Sequence, residues 1–405
     1  MIFMSPGYYT GYCNLKIRAL SIEGIDGANN TIIDCAHAGR IFAINNTRNL
    51  TLTGLSLIAG ASDGDGGCMH VENSGLTMRD CKLIDCQALG NGGAMWVGKD
   101  SLITVIDCTF STASSRRSGG LLYLSHNSSG ELLNVELSKS EASEAGGAIA
   151  LNHASHVRLE NAFFSLHQAP GGGAISVINA SSVSVYNGSF SYCVAYGGLV
   201  EDASEDEEFG VMAGGGVLLL QKGSTASLVR CLVSGAMSAQ DGGVLRLASA
   251  CKADLSSSSF VGNSAQGQGG VARIGPDSSV TGTDNLFEFN RALRGGGVFA
   301  VASKSARSKL IDSRFRFNSL GCLGCPPQKV YMYVCMYVCM YAHFYHRKTS
   351  SVNRWVILSV DQQCTHAGIL LLILHASPLI LHSSSASSPS ALIITKWSVT
   401  ERYDI

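Results

Sequence analysis

The chain has 405 residues, of which 15% are charged, with a formal net charge of -1, 46 Gly and only 7 Pro. So balanced a charge argues against a nucleic-acid surface, which needs clustered Lys and Arg. Many glycines with few prolines suit short strands and frequent turns, provided that the glycines are regularly spaced.

They are. In chain order, the first landmarks are Tyr12, followed by apolar Leu15 and Ile17, and Gly39, followed by Phe42 and Ile44. A Gly-Gly step then recurs, with first glycines at Gly66, Gly92, Gly119, Gly146, Gly172, Gly215, Gly242, Gly269 and Gly296. The intervals are 26, 27, 27, 26, 43, 27, 27 and 27, so the long one is a repeat plus a 16-residue insertion. A fixed period in this range marks a solenoid. After each step the third and fifth positions are apolar, as in Met95 and Val97, Leu122 and Leu124, or Leu245 and Leu247. This alternation predicts a strand with one buried face. The residues between them, from Trp96 and Tyr123 to Arg246 and Arg273, form a mixed set expected on an outer face. Nine residues before each first glycine stands another apolar residue, including Leu83, Phe110, Leu137, Phe163 and Phe260. Six before it runs a second ladder of Cys86, Cys193, Asn263, Asn290 and Asn318, where stacked Asn can hydrogen-bond along the rod.

The expected fold is all-β: a right-handed parallel β-helix of about eleven coils of roughly 27 residues, one strand spacing of about 4.8 Å per coil. It spans residues 1–325, with an insertion loop at about 194–213. Beyond Gly324 the phase would put Pro327 and Lys329 on inward positions, so the solenoid is expected to end there. Residues 326–405 are read as a low-complexity or spurious tail, expected to be disordered. Its opening, Tyr331 to Tyr341, repeats Met-Tyr-Val-Cys as a translated four-base DNA repeat would.

The motifs Gly146-Gly147-Ala148-Ile149 and Gly172-Gly173-Ala174-Ile175 are paired with Phe-x-x-Asn at Phe260 to Asn263, Phe287 to Asn290 and Phe315 to Asn318. Together they resemble the repeats of polymorphic outer membrane proteins, the surface autotransporters of chlamydiae. Pro6 to Gly11 and Ile32 to Cys35 look like the start of many pectin-lyase-like β-helix domains. The resemblance covers about residues 39–323 and implies a surface-displayed adhesive or structural rod. It places no binding residue. Neither a signal peptide nor a C-terminal membrane barrel is visible, and the chain is expected to be cut short of its natural end.

Site chemistry is sparse. A polysaccharide lyase or glycoside hydrolase on this fold needs converging carboxylates, whereas Asp80, Asp85 and Asp107 recur at repeat positions that suggest turns. Asp63 and Asp65, in Asp63-Gly64-Asp65-Gly66, are weak metal candidates; a plain Gly-Asp turn accounts for them. Glu205, Asp206, Glu207 and Glu208, with Glu201 and Asp202, form an acidic run in the insertion that is read as a solvated loop with a minor prospect of calcium. Cys322, Cys325, His343 and His346 imitate a zinc finger at unsuitable spacing, and the apolar stretch at 368–382 is too short and broken for a bilayer span. Cys81, Cys108 and Cys231 share one repeat position and are expected as buried thiols. Asn29, Asn45, Asn49, Asn127, Asn179 and Asn187 are sequon positions. No catalytic residue and no cofactor is assigned. The expectation is a non-catalytic, extracellular or cell-surface scaffold meeting surface glycans or other surface proteins, with an enzyme of the pectin-lyase-like fold as the alternative.

Overall fold

The computed structural model describes residues 1–17, 21–198 and 213–320, and the backbone of strands Ala342–Thr349 and Val352–Val360. Residues 1–320 form a parallel β-solenoid of about eleven turns, with no helix among the described residues. Three parallel sheets line it: sheet A with 12 strands, sheet B with 19 short strands and sheet C with 11. One coil shows the path. Met95–Gly98 lies in sheet C, Leu102–Ile106 in sheet A and Thr109–Ser115 in sheet B, and Leu122 then re-enters sheet C one coil on.

Each coil turns at four places, and at each a residue takes positive φ: Asp100 (57°), Asp107 (54°), Thr112 (53°) and Gly119 (72°) in this coil. The first glycine of every Gly-Gly step from Gly66 to Gly296 lies in that region, which glycine adopts without steric cost. The second glycine has a different reason. A Cβ on Gly147 would lie 2.2 Å from Gly173 O and 2.7 Å from Gln168 N, so bare backbone is what lets adjacent corners nest.

The apolar core is continuous along the rod, from Ile22 through Leu52, Val105 and Leu159 to Ile274. Phe164 and Phe190 stack in it at 4.5 Å, and Phe260, Phe287 and Phe315 stack at 5.1 and 4.9 Å. Phe163 departs from its expected place. It is exposed, and Phe164 takes the inward position opposite Leu137. The interval from Gly146 to Gly172 is one short, and the missing residue falls after Phe164, so counting back from Gly172 lands one place early.

Inward corners carry polar ladders. Asn263, Asn290 and Asn318 accept from the backbone N–H of Ala236, Asn263 and Asn290 at 2.9, 3.0 and 2.9 Å. The same asparagines donate to Val233, Phe260 and Phe287 carbonyls one coil back. A ladder not anticipated from sequence runs at the corner between sheets C and A. There the hydroxyls of Ser74, Ser101, Ser128, Ser155 and Ser181 each accept the N–H of the equivalent residue one coil earlier, at 3.0–3.3 Å. These bonds satisfy buried corner amides, each of which would otherwise cost about 1–3 kcal/mol.

Cys81, Cys108, Cys193, Cys231 and Cys251 are free and buried. Burial pushes the Cys193 thiol up to about 12, which leaves it inert. Two disulfides also went unforeseen. Cys13–Cys35 and Cys68–Cys86 span 22 and 18 residues, with Cα atoms 5.7 and 5.5 Å apart. Each closes a loop worth about 3 kcal/mol in chain entropy. Refolding under reducing conditions should therefore raise amide exchange in Leu15–Ile17, Phe42–Asn45 and Met69–Glu72 by about tenfold or more. Strands near Leu245–Leu247 should be unaffected. Equal protection of the first coils with and without reductant would count against a structural role for both bonds.

Val194 and Ala195, inside the expected insertion, pair in register with Gln168–Ala169 and Met237–Ser238. Within the insertion, residues 199–212 lie outside the described residues, as do Cys322, Cys325 and segment 368–382. Ala342–Thr349 and Val352–Val360 pair antiparallel with each other, apart from the three parallel sheets.

Candidate functional site

The sequence-designated carboxylates do not converge. Asp63 is exposed in a turn. Asp65 spends Oδ1 on Asn91, accepting from its backbone N at 2.6 Å and its Nδ2 at 3.1 Å. Asp241, also one residue before a Gly-Gly step, does the same for Gln268 N at 2.8 Å. Both are corner braces. Asp107 starts an outer ladder in which Asn134, Asn161 and Asn187 each donate Nδ2 to the preceding rung at 2.7–2.9 Å. Asp85 meets His37 at 3.2 Å on the surface. Among the described residues no group of three metal-ligating side chains is assembled. Glu205, Asp206, Glu207 and Glu208 lie outside the described residues.

The sequon asparagines divide in two. Asn29, Asn45 and Asn49 are exposed on the first coils. Asn127, Asn179 and Asn187 already donate Nδ2, to Asp100, Asn152 and Asn161 at 2.8, 2.7 and 2.7 Å. A glycan on any of these three would replace a rung of a ladder.

The outward row of sheet C is not the open face expected. Trp96 is 8% exposed and Tyr123 9%, and Ala150, Ser176 and Leu219 are buried. Trp96 stacks on His70 at 4.3 Å, and its indole lies across Gly98, where a Cβ would sit 2.2 Å from Cη2. Trp96, Tyr123 and Ala150 thus form a second, smaller core on the outside of the rod. Arg40 braces its edge, donating from Nε to Gly66 O at 2.8 Å and from a terminal nitrogen to Ser62 Oγ and Asp65 O at 2.7 and 2.6 Å. Burial, and then the Arg40 charge, holds the His70 pKa below its ordinary value, so His70 is neutral at pH 7. Lys99 pairs with Glu72 beside it. This cluster is packed and paired rather than open to a ligand.

Sheet B presents the open surface. Its legs Phe163–Ala169, Ser189–Ala195, Leu232–Ser238 and Ser259–Ala265 contain no Asp, Glu, Lys or Arg. A register row of outward serines, Ser111, Ser138, Ser165, Ser191 and Ser234, climbs five coils. Beside it Phe163, Leu166, Tyr192, Leu232 and Met237 are exposed. Leu166 and Tyr192 hold positive φ (59° and 52°) at the bend inside this sheet, which turns their side chains outward. The alternation rule misses them because it treats the bend as strand.

No protein-family model and no curated protein matches the chain. Among solved structures, similarity is found to the catalytic domain of GH87 α-1,3-glucanase in complex with nigerose, at 11% identity and TM-score 0.37 over 76% of this chain. The chain spans 63% of that domain. PfbA, a surface adhesin of Streptococcus pneumoniae, matches at 8% identity and TM-score 0.36, over 87% of this chain and 90% of PfbA. The periplasmic alginate epimerase AlgG matches at 11% identity and TM-score 0.35, over 79% and 84% of the two chains. Likenesses this distant carry no argument about activity. No helix among the described residues is long and apolar enough to cross a membrane, which leaves β-barrels unaddressed.

Proposed function

We propose that the chain is a non-catalytic scaffold of a cell-surface or secreted protein, and that the outer face of sheet B contacts glycans. The observation that carries this is the uncharged surface over four coils, where outward serines alternate with exposed Phe163, Leu166, Tyr192, Leu232 and Met237. Hydroxyls that both donate and accept suit sugar hydroxyls, and apolar side chains suit the C–H faces of sugar rings. Monomeric soluble proteins rarely leave such side chains grouped in the open without an interaction to serve. The resemblance of the Gly-Gly-Ala-Ile and Phe-x-x-Asn repeats to polymorphic outer membrane proteins supports a place at the cell surface.

Purified protein is expected to be retained on a neutral glucan gel and to release no product from polygalacturonate or alginate, with or without calcium. Phe163→Ala with Tyr192→Ala should weaken retention by about tenfold, in line with the loss of two ring contacts. Product that vanished on replacing a single Asp would replace this reading with an enzymatic one.

A further inference from the structure

Charge is unevenly distributed along the rod. Residues 286–320 carry seven Arg and Lys against Glu288 and Asp312, a balance of +5 in a chain whose total is -1. Three of these cations, Arg291, Arg314 and Arg316, stand on sheet B in the last two coils, against one carboxylate there, Glu288. Arg314 and Arg316 alternate on strand Arg314–Arg316, and this spacing puts them on one face, about 6.8 Å apart. They pair in register with Leu286 and Glu288 of the preceding coil, and Arg291 follows on the next leg. All three arginines are exposed, and among the described residues none lies within ion-pair distance of a carboxylate, Glu288 included.

Between the two legs, Phe289 and Phe317 take positive φ (54° and 50°) and project outward. Their rings stack at 5.1 Å with an 11° tilt, and they remain 56% and 47% exposed. The inward places of these coils are filled by Phe287, Phe315 and the Asn ladder, so the Phe289–Phe317 stack lies outside the main core.

We infer that Arg291, Arg314, Arg316 and the Phe289–Phe317 stack form a binding site for an acidic polysaccharide, one whose sugars bear carboxylate or sulfate groups. This rests on the glycan reading of sheet B and adds a ligand class to it. Planar guanidinium groups bind such anions bidentately, and the rings offer an apolar edge to the sugar. Single-stranded nucleic acid fits less well. It requires ring faces onto which bases can stack, and here one face of each ring is already spent on the other.

The full chain should be titrated with heparin, polygalacturonate, neutral dextran and a poly(dT) oligonucleotide, with binding followed by affinity electrophoresis. Both acidic glycans should bind, and Arg314→Ala with Arg316→Ala should weaken them about tenfold or more while the salt dependence flattens. Glu288→Gln removes the carboxylate facing Arg316 and should tighten binding about two- to threefold. Arg307→Ala with Lys309→Ala deletes equal charge from sheet A of the same coil and should change little. All these side chains are exposed or half-buried, so the fold should tolerate the changes, and circular dichroism would verify it. The site is overturned if the two double variants weaken binding equally, or if poly(dT) binds as tightly as heparin. If acidic glycans bind but ignore Arg314 and Arg316, this inference fails while the glycan reading stands. If no glycan is retained at all, both fail.

Discussion

Gly147→Ala is expected to be among the most damaging single-methyl changes in the rod, costing several kcal/mol and abolishing folding in a marginal background. The reason lies in backbone packing. The added Cβ would stand 2.2 Å from Gly173 O and 2.7 Å from both Gln168 N and Gln168 O. No rotamer change relieves a clash with main chain, so two neighbouring corners must separate. The Ile149–Leu151 and Ile175–Val177 pairing beside them would then be pulled apart. Gly262→Asn is the matched control. Gly262 has positive φ (66°), where Gly147 does not, yet a Cβ there meets nothing within 4 Å. Equivalent bends are occupied by Thr112, Lys139, Tyr192 and Phe289, all at positive φ. This substitution should cost about 1 kcal/mol or less, since Asn tolerates the left-handed region. Urea unfolding of both variants decides the matter. Similar losses from the two would mean that close approach of the corners is not what keeps a glycine at position 147.

That contrast also measures what the sequence discloses. Period, strand phase and the Asn ladder were all legible, because each is a side-chain preference repeated every 27 residues. Reasons that act between coils were less so. The second glycine looks identical to the first in sequence, although one answers to φ and the other to a neighbouring carbonyl. The Ser101, Ser128, Ser155 and Ser181 ladder was in plain view, each serine nine residues after a first glycine, but the abundance of serine hid it. The disulfides escaped because neither recurs from coil to coil: Cys86 was read as a rung of the inward ladder, and its partner Cys68 stands where other coils carry Ala94, Leu121 or Val217. Trp96 and Tyr123 follow the outward period faithfully and are buried all the same. Periodicity gives direction relative to the main core and says nothing of a second layer outside it. The residues of the inferred acidic-glycan site were the least legible. Arg314, Arg316 and Phe317 lie close in sequence without a recognisable motif, and Phe289 joins them only through coil stacking.

The second large effect concerns acid. His167 occupies the same inward ladder as Asn263 and Asn290, is wholly buried, and donates from Nε2 to Leu137 O at 2.9 Å. Asn263 and Asn290 make the equivalent bond to Val233 O and Phe260 O, in each case thirty residues back. Nδ1 lies 2.7 Å from Ser140 Oγ, whose hydroxyl also lies 2.6 Å from Gly147 O, and Phe164 packs edge-on at 5.8 Å. Ser140, Phe164 and Cys193 are uncharged neighbours, and among the described residues no carboxylate pairs with the ring. Burial therefore lowers the His167 pKa from 6.5 to about 3. The sign follows directly. The unfolded chain takes up the proton near pH 6.5 and the folded chain only near 3, so the stability present above 6.5 falls away as pH drops between these values. At pH 5 the loss is about 2 kcal/mol. His153 and His70, also lowered by burial, push the same way. His167→Asn should restore the ladder bond without a titrating group. A cavity cost of about 1 kcal/mol is expected at pH 8, where the wild type should be the more stable. At pH 5 the order should reverse. Urea midpoints at the two pH values test the crossing directly. If His167→Asn loses as much stability as the wild type between pH 8 and pH 5, the acid sensitivity lies elsewhere and His167 is only a space-filling rung.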